Sequence, residues 1–280
     1  MFSISRFLLS FIVFYISFFS FANNQNKNSE VKSSEDINWG YLNPLRGDKS
    51  PGAADLWGDR TKNVATGMLV KFNKGFSSPP HIHNISYRGI VIDGLMHNDD
   101  PKAENMWLPT ASFWTQPAGE NHITAADGET NLIYLEIDSG PYLVKSQEQK
   151  FDNGERPINL HTSNLVWLKQ NDSSFIDGEN IAISYLWQNI KATNSAGYLI
   201  KLAKNAKYKI STTASEFRAV IIQGDVDYTS KETSQVKSLR SSSYFSSSDT
   251  FVHNIKTAKE TIIYVRSNGE FNFVSERLIK

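Results

Sequence analysis

What most constrains this chain is that it states one pattern twice. Setting each residue beside the one 130 positions later aligns GMLVKFNKGFSSPPHIHNISYRGIVIDG, from Gly67, with GYLIKLAKNAKYKISTTASEFRAVIIQG, from Gly197, without a gap. Gly67 meets Gly197, Lys71 meets Lys201, Arg88 meets Arg218 and Gly94 meets Gly224, and upstream Leu56-Trp57 meets Leu186-Trp187. Downstream, ETNLIYLE and ETIIYVR correspond after a shift of one residue. So long a period marks duplicated domains rather than solenoid units. Each half reads as short β-branched or aromatic strands, such as MLVKF, YRGIVI, ASFWT and NLIYLEI, bounded by Gly, Pro, Asn or Asp. Many short strands with turn signals between them indicate a closed barrel or a double-sheet sandwich, so the fold class is all-β.

The first copy concentrates the histidines. His81 and His83 stand two apart beside strand-like segments, and a strand sends alternate side chains to one face, so both imidazoles point the same way. The turn Pro117-Ala118-Gly119 then delivers His122. Three neutral imidazoles converging on one point make a transition-metal site. The second copy holds Ser211 and Thr213 opposite His81 and His83, and only His253 survives, opposite His122. One imidazole with two hydroxyls is a poor divalent-metal site, so this half is expected to be metal-free and to cover the first or form a dimer surface, with an altered ligand pocket as the alternative.

The two histidine runs resemble the paired motifs of the cupin superfamily. Gly75, His81, His83 and Gly94 fall where the first motif places them, and Pro117, Gly119 and His122 match the second. Two positions depart from the pattern: Tyr87 stands where a Glu is expected, and Ala126 where an Asn is usual. The resemblance implies two tandem jelly-roll barrels of the double-stranded β-helix type, at about 37–148 and 162–277, joined near 152–157. It also implies a divalent metal held by His81, His83 and His122, with Fe(II) first and Mn, Zn, Ni or Cu as alternatives. Cupins with three His and no Glu are similar to non-haem dioxygenases that cleave β-diketones or oxidise thiols. The expectation is therefore an oxygenase-type enzyme for a small anionic or enolisable molecule. The alternative is a non-catalytic protein that captures a small ligand.

Tyr87 has three readings: phenolate ligand, hydrogen-bond donor to bound substrate, or packing. Tyrosine ordinarily stays protonated. Arg88 faces away from Tyr87 on a regular strand and recurs as Arg218, which favours a structural pair between barrels over a substrate clamp. His97 reads as a surface residue beyond the strand. Trp107, Phe113 and Trp114 read as core or pocket wall, and Glu120 and Asn121 as exposed turn residues. Glu136 alternates with Ile133, Leu135 and Ile137, which sets it on their opposite face, and a pocket base is its other reading.

The N-terminus supplies an address. Arg6, an apolar run from Phe7 to Phe19 and Ser20-Phe21-Ala22 read as a signal peptide over 1–22, followed by a flexible polar leader over 23–36. The expectation is a secreted or periplasmic protein with no membrane association after cleavage. Without Arg6 the chain carries 28 basic and 29 acidic residues, a balance with no electrostatic footprint for nucleic acid. A small-molecule partner and a possible homodimer remain. The chain has no Cys, so apolar cores must stabilise it without disulfides.

Overall fold

The computed structural model describes residues 28–189 and 193–276, so the expected signal peptide lies outside the described residues. Among those residues, no helix is long and apolar enough to cross a membrane.

Each repeat folds as a β-barrel of jelly-roll type. In the first, a seven-stranded sheet runs in the order Ile158–Leu160, Phe113–Gln116, Tyr87–Asp93, Asn131–Ile137, Thr66–Phe72, Gly52–Trp57 and Gly40–Tyr41. Two strand pairs, His81–His83 with Val144–Ser146 and Met96–Asp99 with Ile123–Ala126, accompany it. The second barrel sets two six-stranded sheets around one apolar cluster that includes Ile210, Phe217, Phe245 and Phe273.

Strand alternation feeds two cores at once. Met68, Val70, Tyr87, Val91, Ile133 and Leu135 point into the first barrel. Their neighbours Leu69, Ile90, Ile92 and Tyr134 point outward, where they pack with Leu199, Val220, Ile222 and Tyr264 of the second repeat. The sheets of the two repeats thus bury a shared apolar layer, the main favourable term in their association.

Within that layer the repeats pack by approximate two-fold symmetry. Trp57 Nε1 donates to Tyr134 Oη at 3.1 Å, and Trp187 Nε1 to Tyr264 Oη at 3.0 Å. The Arg88 guanidinium lies 3.8 Å over the Trp187 ring, and Arg218 lies 4.1 Å over Trp57. Glu136, 1% exposed, accepts from Arg88 at 3.0 Å and from Tyr264 at 2.8 Å, with Arg266 at 3.4 Å. Burial opposes the charges on Asp138 and Glu216, but the neighbouring guanidiniums outweigh it and hold both carboxyls below their usual range. Arg88 therefore works between the barrels, and Glu136 belongs to that interface rather than to a pocket.

The leader requires a correction. Ser29–Lys32 forms a strand that pairs antiparallel with Tyr244–Ser247 of the second barrel, and a short 3-10 turn follows at Ser34–Asp36. The Ser-rich strand would otherwise be a sheet edge with unpaired backbone groups, which the leader satisfies. A reciprocal exchange occurs at the linker: Ile158–Leu160 adds to the first barrel beside Phe113–Gln116.

Candidate metal centre

The three histidines meet inside the first barrel. His81 and His83 leave the same face of one short strand, and the backbone of His122 bonds to that of His81 in both directions at 3.0 Å. Pro117-Ala118-Gly119 makes the turn that allows this. Gly119 has φ +77°, and a Cβ there would lie 2.4 Å from the Phe151 carbonyl, so only glycine fits. Ring centroids are 4.3 Å apart for His81 and His122, 5.0 Å for His81 and His83, and 5.2 Å for His83 and His122. One ring nitrogen of each lies within 4.8 Å of the others, forming a group that could hold a metal ion.

The tautomers are set from outside the cluster. Nδ1 of His81 faces the Pro79 carbonyl at 2.9 Å, that of His83 the Leu143 carbonyl at 3.1 Å, and that of His122 the Glu120 carbonyl at 3.1 Å. A carbonyl only accepts, so each Nδ1 carries the proton and each Nε2 keeps its lone pair. Burial keeps the rings neutral: it lowers the pKa of His81, and that of His122 falls to about 3. His83 is held well below its ordinary value, by burial first and then by the other two rings. Three neutral Nε2 donors with oriented outer nitrogens are the set a divalent transition ion requires.

Tyr87, 3% exposed, sits beside them with its hydroxyl 3.4 Å from His122 Nε2. A chain of amides fixes its proton. Gln116 Nε2 donates to the Glu120 carbonyl, Asn98 Nδ2 donates to Gln116 Oε1, and Asn98 Oδ1 is left to accept from Tyr87 at 2.9 Å and Thr124 at 2.8 Å. Burial raises the Tyr87 pKa further, so the phenol is neutral.

A cavity of about 590 Å³ opens onto this cluster, walled by Val70, Phe72, Phe76, Trp114, Ile133 and Leu135. Arg46 and Arg60 also line it; Arg60 is paired with Asp55, and Arg46 has no side-chain partner among the described residues.

Other sequence expectations resolve differently. His97 is 1% exposed, not a surface residue, because it lies on the strand Met96–Asp99 opposite Ala125 with Trp107 nearby. Glu120 and Asn121 are half-buried rather than exposed. Trp114 walls the cavity, whereas Phe113 packs in the shared inter-barrel layer. In the second barrel His253 is fully buried with both ring nitrogens engaged, by Tyr228 Oη at 2.7 Å and Ser247 Oγ at 3.0 Å.

Sequence reasoning missed Tyr142. Its hydroxyl lies 3.2 Å from His83 Nε2, and its ring stacks on that imidazole at 4.4 Å. The available signal was asymmetry between the copies, because the residue 130 positions later is Asn272.

The family described as Domain of unknown function (DUF4437) matches residues 30–274. No curated protein matches the chain. Among solved structures, a proposed dioxygenase from Nostoc punctiforme PCC 73102 is 16% identical, with a TM-score of 0.65 over 87% of this chain and 83% of that one. Protein YlbA from E. coli is 13% identical, with a TM-score of 0.57 over 87% and 92%. Salicylate 1,2-dioxygenase from Pseudoaminobacter salicylatoxidans, in adducts with gentisate, is 8% identical, with a TM-score of 0.53 over 77% and 73%. At these identities the likeness concerns the fold, and both halves of the chain are cupin barrels.

Proposed function

We propose, for a chain that belongs to the family described as Domain of unknown function (DUF4437), that its first barrel is a metal-dependent centre of oxygenase type acting on a small anionic or enolisable molecule. The observation that carries this reading is the convergence of three neutral imidazoles, each with its outer nitrogen spent on a carbonyl, at an apolar cavity. His81, His83 and His122 hold the ion, with iron(II) the first choice and manganese, zinc, nickel and copper compatible with imidazole. A ferrous ion supplies open coordination positions and one-electron chemistry. The chain does the rest. Phe72, Phe76, Trp114, Ile133 and Leu135 exclude water, and Arg46 offers an uncommitted positive charge at the cavity wall. Tyr87, with its proton committed to Asn98, orients the substrate as a hydrogen-bond acceptor.

In this proposal the protein works outside the cytoplasm, on the support of Arg6, the apolar run 7–19 and Ser20 to Ala22. The second barrel covers the first and leaves the chemistry to it. Elemental analysis of protein purified without a chelating tag is expected to give close to one transition metal per chain. Oxygen consumption is then followed with diketones, phenols and thiols. Metal without oxygen uptake on any of them would convert the reading to ligand capture, and protein that takes up no metal would remove it.

A further inference from the structure

Resting on that reading, we propose that the metal centre has a fourth protein ligand, Tyr142, which binds the ion as phenolate. The motif's anionic position is filled by Tyr87, and Tyr87 is unsuited to the role. The amide chain from Glu120 through Gln116 to Asn98 turns a carbonyl oxygen to Tyr87 at 2.9 Å, and this takes its proton in preference to the longer 3.4 Å contact with His122 Nε2. Tyr142 differs. The partner of its hydroxyl is His83 Nε2, the atom whose lone pair would face the ion.

The segment carrying Tyr142 is pinned from several sides. Tyr142 N–H donates to the Arg60 carbonyl at 2.8 Å. Asn84 clamps both flanking residues, donating to the Pro141 carbonyl and accepting from Leu143 N–H, each at 2.9 Å. Val144–Ser146 then pairs with the ligand strand itself, residue for residue with His83, Ile82 and His81. The same segment supplies the Leu143 carbonyl that orients His83. It thus fixes one nitrogen of His83 while setting a phenol oxygen against the other. Donors on neighbouring positions of an octahedral shell with bonds of about 2.1 Å lie about 3 Å apart, close to the observed 3.2 Å.

Without metal, the buried phenol keeps its proton, with its oxygen 3.2 Å from Nε2 and its ring stacked on the imidazole. On metal entry that proton leaves to solvent, and both oxygen and nitrogen bind the ion. Three imidazoles and one phenolate reduce a dipositive ion's net charge to one, leaving the site open to one anionic substrate.

The test uses the full-length protein loaded with ferric or cupric ion, with metal content measured alongside the visible spectrum. The expected result is one ion per chain and a phenolate-to-metal charge-transfer band. The band disappears in Tyr142→Phe at saturating metal, with the ion retained, and persists in Tyr87→Phe. A loaded protein with no such band, or a band lost in Tyr87→Phe and kept in Tyr142→Phe, overturns the assignment of Tyr142 and leaves the three-histidine site standing. Failure of the native protein to take up metal overturns both.

Discussion

His122 and His253 occupy corresponding places in the two barrels, and burial takes both to a pKa of about 3. Only one of them could serve a metal. In the first barrel Nδ1 is engaged by the Glu120 carbonyl, and the ring converges with His81 and His83. In the second, Phe217 stands where Tyr87 does, Tyr228 where Asn98 does and Ser247 where Gln116 does, so hydroxyls consume both nitrogens. Phe217, Phe245 and Phe251 crowd the ring at centroid distances of 5.3, 5.0 and 4.7 Å. A buried neutral imidazole therefore becomes a ligand or a piece of core according to whether other imidazoles converge on it or hydroxyls and phenyl rings enclose it.

That contrast is broken most directly by removing one imidazole from each barrel. His83→Ala is expected to reduce metal content from about one per chain to near zero while circular dichroism reports a folded barrel. His253→Ala is expected to leave metal content unchanged and to cost about 2–4 kcal/mol in urea unfolding, through a cavity and two hydroxyls without partners. Metal lost in the second variant and kept in the first would reverse the roles assigned to the barrels.

The repeats also differ in charge at matched positions, since Glu136 in one corresponds to Arg266 in the other. Glu136→Ala leaves two buried guanidiniums short of a partner, and the expected loss is about 3–5 kcal/mol, read from the denaturant midpoint. Adding Arg266→Met should recover part of it. A single variant of native stability would show that the shared apolar layer alone holds the barrels together.

Much of this was legible in the sequence because it is local. Alternation in YRGIVI and NLIYLEI separates barrel interior from interface, and the spacing of His81, His83 and His122 survives intact in the structure. What was not legible depends on pairing across the chain. Tyr142 and Leu143 reach His83 because Val144–Ser146 docks on a strand some 60 residues earlier, and PYLVK carries no sign of that partner. The leader's SEVK looked too polar to fold, yet an edge strand needs only backbone groups, and Tyr244–Ser247 supplied them. His97 looked like a turn residue because its burial comes from the opposed strand and Trp107, neither of which its own neighbourhood announces.

Acid has a smaller effect and acts on both barrels, because His122 and His253 are depressed alike; His253 lets the effect of one imidazole be isolated away from the metal centre. The folded pKa of His253 is depressed by burial to about 3, while the unfolded chain titrates near 6.5. Between those values the unfolded state binds the extra proton, so stability rises with pH. The contribution is complete above about pH 6.5 and is lost progressively as pH falls towards 3, about 2–3 kcal/mol by pH 4.5. His253→Phe should flatten the stability profile by that amount over this window. An unchanged slope would mean that His253 is protonated in the folded protein.

The smallest effect is the one that decides what Tyr87 does. Tyr87→Phe places in the first barrel the residue the second already has at Phe217, and it removes the hydrogen bond to Asn98 together with the longer contact to His122 Nε2. The expected stability cost is about 1 kcal/mol, because Thr124 still donates to Asn98 Oδ1 and no acceptor is stranded. Metal content should stay at one per chain, since the three Nε2 donors and the carbonyls that orient them are untouched. If the phenol oxygen orients substrate, turnover or ligand affinity falls at constant metal content. If neither moves, Tyr87 is barrel packing, as Phe217 is, and the chemical difference between the repeats narrows to the histidines and the segment that carries Tyr142.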